Sequence, residues 1–252
     1  MTRLRALAFN IAFIAYTVVL GILALPTLVA GGPYVLRLLR FWARGVLLLL
    51  RWIVGLRFEV TGLEHLPRQG PALVAAQHQS AFDTVVWFLL LPDCVYVLKR
   101  ELLNIPIYGW YARRGGMIAV DRSAGASAMR GLLRDGQAAL EARRQVVIFP
   151  EGTRVAPGVE APYQPGIAAL YARAKLPVVP AATNSGRFWG RRAFTKHKGT
   201  ITIALGPPIP PGAAREVFLA TLRARIDAAS EDFQAGLASP TRPVDKSGES
   251  DS

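Results

Sequence analysis

Ala72-Leu73-Val74-Ala75-Ala76 is an apolar run. Directly behind it stand the polar Gln77-His78-Gln79-Ser80, then Ala81-Phe82-Asp83 and the apolar stretch Thr84–Leu90. The run reads as a short strand and Asp83–Leu90 as a helix, with the polar residues in the loop between them. The same texture extends in both directions. Short β-type runs fall at Phe58–Thr61, Val95–Leu98, Met117–Val120, Val146–Phe149, Val178–Ala182 and Thr200–Leu205. Helical stretches lie between several of them, notably 126–142 and 166–174, and a closing amphipathic helix covers 212–233 with Phe218, Leu222, Ile226 and Phe233 near helical spacing. Alternation of this kind predicts an α/β fold with a largely parallel central sheet flanked by helices. In such sheets ligands gather beyond the carboxyl ends of the strands, and three polar clusters fall there.

The first cluster is the loop already quoted. Histidine is the natural base near neutral pH, and a carboxylate that orients its imidazole is the usual companion. Five residues of regular helix would set His78 and Asp83 about 140° apart, so the pair meets only if the chain turns between them and Asp83 opens the helix. Asp83 as a helix N-cap beside an incidental histidine explains the same residues. The second cluster, Phe149-Pro150-Glu151-Gly152-Thr153-Arg154, follows an apolar strand. A glycine that admits close approach, a hydroxyl and an arginine suit a phosphate or carboxylate, although proline and glycine after a strand also make an ordinary turn. The third is Asp121-Arg122, with Lys99-Arg100 ending the strand before it. Charges at strand ends are commonly just solvated; here several would converge beside one histidine.

The chain has 252 residues, 52% of them hydrophobic, and a formal net charge of +13. Such a basic surface attracts nucleic acid or an anionic membrane. The N-terminus favours the membrane: no charged residue occurs from Ala6 to Leu36. Ala6–Leu25 is long enough to cross roughly 30 Å of hydrocarbon as a helix, and Pro26 and Gly31-Gly32-Pro33 then break it. In a second helix, Tyr34 to about Leu56, Arg37, Arg40, Arg44 and Arg51 share an arc of roughly 60° at about 100° per residue. An apolar cylinder with one basic stripe is the pattern of a helix lying in the lipid interface. A signal peptide is disfavoured by the length of the apolar core and the missing small-x-small site. A full span would put basic flanks on both sides of the membrane. A helical pair dipping into one leaflet, at the cytoplasmic face of the inner membrane, fits the charges best. The expected organisation is a membrane-associated helical pair (1–56), an α/β domain (57–236) and a disordered tail (237–252). The loop Arg187-Phe188-Trp189-Gly190-Arg191-Arg192, with Lys196 and Lys198, is read as lying near the active face or the headgroups; no nucleic-acid module is found. Cys94 is the single cysteine and only three histidines occur, so neither a disulfide nor a histidine-rich metal centre is expected. A hydrolase using Ser80 or Cys94 lacks a nucleophile elbow.

Together these blocks resemble the lysophospholipid acyltransferase family. His78 and Asp83 match its His, four residues, Asp signature; Phe149–Arg154 match its Phe-Pro-Glu-Gly-Thr-Arg block in full. Gly116–Arg122 look like its Gly-x5-Arg element and Leu176–Ala181 like its valine- and proline-rich strand, with Lys99–Leu102 and Gly109-Trp110 similar between them. Two departures stand out: Gln77 where Asn is common, and Gln164-Pro165 where a basic residue is common before Gly166. The resemblance implies transfer of an acyl group from acyl-CoA or acyl-acyl carrier protein to the sn-2 hydroxyl of 1-acylglycerol-3-phosphate. Another lyso-lipid, such as a lyso-ornithine lipid, is the alternative acceptor. It further implies His78 as base, Asp83 as its orienter, and Lys99, Arg122, Glu151, Gly152, Thr153 and Arg154 around the acceptor phosphate, Glu151 either as a contact or as a partner that orients Arg154. No metal or cofactor is called for; the membrane supplies the acceptor.

Overall fold

The computed structural model describes residues 2–235, so the expected tail at 237–252 lies outside the described residues. The chain begins with α1 (Thr2–Leu23), α2 (Pro26–Ala30) and α3 (Gly32–Leu49). The expected second helix does not run on to Leu56 as α-helix. It loosens into a π-helical turn, Leu50–Val54, and stops at Gly55, whose φ of 78° needs a residue without Cβ. Strand β1 (Leu56–Thr61) follows, then β2 (Ala72–Ala76), α4 (Asp83–Leu90), β3 (Cys94–Lys99), α5 (Tyr108–Arg114), β4 (Ile118–Val120) and α6 (Gly125–Glu141). The chain continues through β5 (Gln145–Ile148), α7 (Pro165–Ala174), β6 (Val178–Thr183), α8 (Ser185–Phe188), β7 (Gly199–Leu205) and α9 (Arg215–Ala235).

The seven strands form one sheet in the order β1-β7-β6-β2-β5-β3-β4, parallel except for β6 against β7. β2 lies between β5 and β6, so the loop leaving its carboxyl end sits mid-sheet, where the site clusters were expected. Alternation along the strands splits the core into two layers. Val74, Ala76, Val147 and Phe149 point to one face, where Trp87 of α4 and Val46 of α3 meet them; Leu73, Ala75, Val146 and Ile148 point to the other, against Leu132, Leu170 and Phe218 of α6, α7 and α9.

The N-terminal helices belong to the first layer: Phe9, Val46, Leu50 and Val54 share its core with the strands. α1 is tied down along its length. Phe9 meets Trp189 edge-on at 5.5 Å, Thr17 Oγ1 accepts from Trp42 Nε1 at 3.0 Å, and Gly21 O accepts from Tyr111 Oη at 2.9 Å. Lys196, read from the sequence as part of a basic loop near the active face or the headgroups, is 4% exposed, and burial holds its ammonium below the usual lysine range. Its Nζ donates to Asn10 Oδ1 at 2.5 Å and lies over Phe9 and Trp189. The basic stripe divides likewise: Arg37, Arg44 and Arg51 are exposed, while Arg40 turns inward to the carbonyls of Leu91 and Pro92 beyond α4. Leu4, Leu7, Ile11, Ile14, Val18 and Ile22 form an exposed apolar stripe on α1, and Arg3–Leu23 is long and apolar enough to cross a membrane.

Candidate active site

Between β2 and α4 the chain makes the turn that the His78–Asp83 pair needs. Asp83 stands at the start of α4, 3% exposed. Its Oδ2 accepts the backbone N–H of Gln79 and of Ser80, each at 2.7 Å, and lies 3.2 Å from His78 Nδ1. One oxygen thus pins the loop backbone and meets the imidazole; the N-cap position is Phe82 and no side chain caps α4, so Asp83 is the partner of His78 and not the helix N-cap that the sequence also allowed. With Nδ1 engaged, Nε2 is the ring nitrogen left to face a ligand. Phe149 stacks on the ring at a centroid distance of 4.1 Å and Tyr96 stacks behind Phe149 at 6.0 Å.

The backbone of this loop is held from every side. Gln77 donates its N–H to Ala181 O at 2.8 Å and accepts from Thr183 N at 3.2 Å; Gln79 Oε1 accepts from Gly186 N at 3.0 Å. His78 O accepts from Val155 N at 2.8 Å, and the Glu151 carboxylate lies close enough to the His78 N–H for that donor to favour its charged form. The segment after β5 therefore holds the histidine through its carbonyl and sets a carboxylate near its N–H, which couples the first and second sequence clusters.

His78 lines a cavity of ≈650 Å³ with polar and apolar ends. Around the polar end stand Lys99, Arg122, Gly152, Thr153, Arg154 and Gln164; the rest is lined by Leu38, Leu39 and Trp42 of α3, Val18 and Leu20 of α1, and Leu102 to Tyr111. Arg122 reaches the Phe149–Arg154 segment from its own loop: a Cβ added at Gly152 would lie 3.5 Å from its guanidinium and 2.9 Å from Gln164 Cγ. With φ at 67° as well, Gly152 has no room for a side chain. Lys99 pairs with Glu101 at 3.1 Å, but with side chains 52% and 59% exposed the pair is weak. Arg191 Nη1 approaches Arg154 O at 3.4 Å, so the loop after α8 stands beside the polar end.

Glu151 does not line this cavity with its expected companions. It is 7% exposed, faces a smaller polar cavity behind the His78 loop, and leaves Oε2 without a hydrogen-bond partner. Burial raises its pKa from the ordinary 4.5 to about 7; the neighbouring Asp83 charge adds to this, while N–H bonds from His78 and its own backbone, and the Arg223 charge, oppose it. Its reach is to the His78 backbone.

Residues 57–184 match the family model described as Acyltransferase. The chain belongs to the acyltransferase family. This acyltransferase is 36% identical over 187 residues to the 1-acyl-sn-glycerol-3-phosphate acyltransferase of Pseudomonas aeruginosa, covering 74% of this chain and 72% of that one. It is 31% identical over 207 residues to 1-acyl-sn-glycerol-3-phosphate acyltransferase alpha of Homo sapiens, covering 80% and 72%. The fold matches the crystal structure of the 1-acyl-sn-glycerophosphate acyltransferase of Thermotoga maritima with a TM-score of 0.78 at 20% identity, over 96% of this chain and 98% of that one.

Neither rival nucleophile of the acyltransferase is presented to a ligand. Ser80 is fully buried, its Oγ accepting from Phe82 N at 3.1 Å, and burial pushes the Cys94 thiol far above its usual range. Sequence reading passed over Phe149 and Tyr96 as partners of the imidazole, because aromatic residues at strand ends read as core. It also passed over α5, whose start depends on Ile107 at φ 65°, a conformation that a β-branched residue rarely adopts and that local sequence does not announce.

Proposed function

We propose that the chain transfers a fatty acyl group from an acyl thioester to the sn-2 hydroxyl of 1-acylglycerol-3-phosphate, giving phosphatidic acid. The observation that carries this reading is one cavity of ≈650 Å³ that joins His78, paired with Asp83, and three cations to a mostly apolar lining. A lyso-lipid has that division of chemistry: a phosphate for Lys99, Arg122 and Arg154, a hydroxyl for His78, and a chain for the surfaces between α1, α3 and α5. The relatives named for this reaction support the acceptor assignment.

His78 Nε2 takes the hydroxyl proton, Asp83 stabilising the imidazolium and fixing the tautomer. The oxygen attacks the thioester carbonyl, the C–S bond breaks as the ester forms, and the proton passes to the departing thiolate sulfur. No acyl-enzyme is required, since the thioester is already activated. Clamping the phosphate holds the hydroxyl beside the base, the source of a proximity gain. Glu151 serves this site from behind, through the His78 amide.

The chain acts as a monotopic membrane protein. α1 is bound to the folded domain at Phe9, Asn10, Thr17 and Gly21, so it cannot also extend away through a bilayer. Its apolar stripe, with Phe41 and Leu48 of α3, Trp52 of the π-helical turn and Ile105, Tyr108 and Trp110 near α5, faces outward, and Arg37, Arg44 and Arg51 reach for anionic headgroups. The cytoplasmic leaflet, where such headgroups and the acyl donors are found, is the face it occupies.

The test is acyl transfer by detergent-purified protein from a labelled donor to lysophosphatidic acid, with His78→Ala alongside. Labelled phosphatidic acid from the wild type and none from the variant is expected. Substantial turnover by the variant would overturn the base. A wild type silent on lysophosphatidic acid but active on another lyso-lipid would overturn the acceptor and direct attention to Gln164.

A further inference from the structure

Behind the His78 loop lies the second cavity, ≈230 Å³ and mostly polar. Gln77, Gln79 and Glu151 form the wall nearest the active site, and α9 forms the far side. This helix is outside residues 57–184 and outside every sequence block that pointed to the chemistry. From it, Arg223 Nη2 donates to Ala161 O at 2.8 Å, and the guanidinium carbon stands 4.3 Å from the centre of the Tyr163 ring. Tyr163 precedes Gln164, whose N–H is bonded to Pro150 O at 2.8 Å, so this contact bears on both ends of the loop that carries Glu151 to Arg154.

We propose that Arg223 is a positioning residue for acyl transfer: it braces the Ala161–Tyr163 segment and, across the small cavity that both residues line, favours the charged Glu151 carboxylate behind the backbone of the base. The proposal rests on the reading of His78 as the general base. An ionised carboxylate accepts an N–H bond roughly twice as strongly as a neutral acceptor, so the grip on His78 is tightest with Glu151 charged. Several groups bear on that charge. Asp83 of α4 disfavours it, the N–H of His78 and the guanidinium of Arg223 favour it, and Tyr163 interacts with it from the adjoining loop. Glu160, Asp227 and Glu231 add negative charge around the same small cavity, and Arg187 adds positive charge. Removing the guanidinium leaves Glu151 among acids, lowers its ionised fraction near neutrality and slackens the loop that aims the imidazole.

The experiment measures kcat and KM for labelled acyl transfer to lysophosphatidic acid between about pH 5.5 and about pH 9. It compares wild type, Arg223→Met and Arg223→Lys, the first two also in a Glu151→Gln background, with thermal melts of each. Arg223→Met is expected to lower kcat on the order of 10-fold with KM for the acceptor little changed, and to move the acid limb of kcat to higher pH. Arg223→Lys keeps the charge and should return the limb toward wild type. In Glu151→Gln, adding Arg223→Met should move no limb. Wild-type kcat and pH profile in Arg223→Met would overturn the proposal. So would a loss of kcat that tracks a lowered melting temperature while the limb stays in place. Should the Met variant fail to fold, Arg223→Lys decides: it must keep the acid limb near that of wild type, and a limb displaced as far as expected for Met overturns the role of the charge. Wild type failing to acylate lysophosphatidic acid would defeat the acceptor reading, and the same comparison would then be made on whichever lyso-lipid it does acylate.

Discussion

The His78 loop and the cations of the same cavity are built in opposite ways. In the loop, the backbone N–H groups of Gln77, Gln79 and Ser80 are bonded to β6 and to the start of α4, and the His78 carbonyl accepts from Val155. The cations come from three separate segments: Lys99 ends β3, Arg122 follows β4 and Arg154 follows β5. Lys99 and Arg122 are exposed, and Lys99 meets only a solvent-facing carboxylate. The difference teaches that the two halves of the proposed reaction are prepared differently. The base is held in geometry before any ligand arrives, as a group that must sit near a reacting atom requires. The clamp completes its contacts with the acceptor phosphate itself, which suits a ligand arriving sideways from a bilayer.

This contrast breaks first at its rigid side. Asp83→Asn retains the shape but gives up the charge that stabilises the imidazolium, and kcat is expected to fall by about 10²- to 10⁴-fold with KM for the acceptor nearly unchanged. A KM effect without a kcat effect would assign Asp83 to binding instead. Next comes the stability of the loop as a function of pH. Glu151 titrates near 7 when folded and near 4.5 when exposed, so the folded state binds the extra proton between these values and loses stability as pH rises through that window. Glu151→Gln, which does not titrate, should gain on wild type in denaturant unfolding across about pH 4.5 to about pH 7, by at most about 3 kcal/mol. A constant difference between the two proteins across the window would remove Glu151 from the titration.

The compliant side should respond through binding. Arg122→Ala and Arg154→Ala are each expected to lower kcat/KM by about 10- to 100-fold, mainly through KM, since a charge-assisted bond contributes about 1.5–3 kcal/mol. Equal losses in kcat would mean that the cations act in the transition state as well. The smallest effect belongs to α3 and the π-helical turn that follows it: each of Arg37→Gln, Arg44→Gln and Arg51→Gln should weaken binding to anionic vesicles by about 1 kcal/mol at low salt. Arg40→Gln should instead lower the melting temperature, because its guanidinium serves the carbonyls beyond α4. Equivalent vesicle effects from all four would restore the undivided stripe.

Much of this contrast could be read locally. A strand of five residues, a polar loop and a helix starting at Asp83 are patterns of neighbours, and the structure reproduces Ala72–Ala76 and Asp83–Leu90 with the expected ends. Glu151 was placed among the phosphate contacts because it adjoins Gly152, Thr153 and Arg154 in the chain. The turn after β5 sends its side chain to the opposite side of the His78 loop, which adjacency cannot reveal. Lys196 and Arg40 looked like members of basic runs for the same reason. Charge runs are usually solvated faces, and only the packing of α1 against the loop after α8, and of α3 against α4, turned these two inward.

By itself the sequence determined the alternating α/β architecture, the apolar N-terminus and the residue types of the proposed base, its carboxylate and the cations. Those are set by hydrophobic period and by chemistry carried in short blocks. Tertiary structure alone decided that α1 is tied along its length to the domain, and that Glu151 and Arg223, seventy-two positions further along the chain, line one small cavity behind the His78 loop. These are contacts between segments far apart in sequence. They depend on where a twisted parallel sheet puts its loops in space, and no local pattern of residues encodes that.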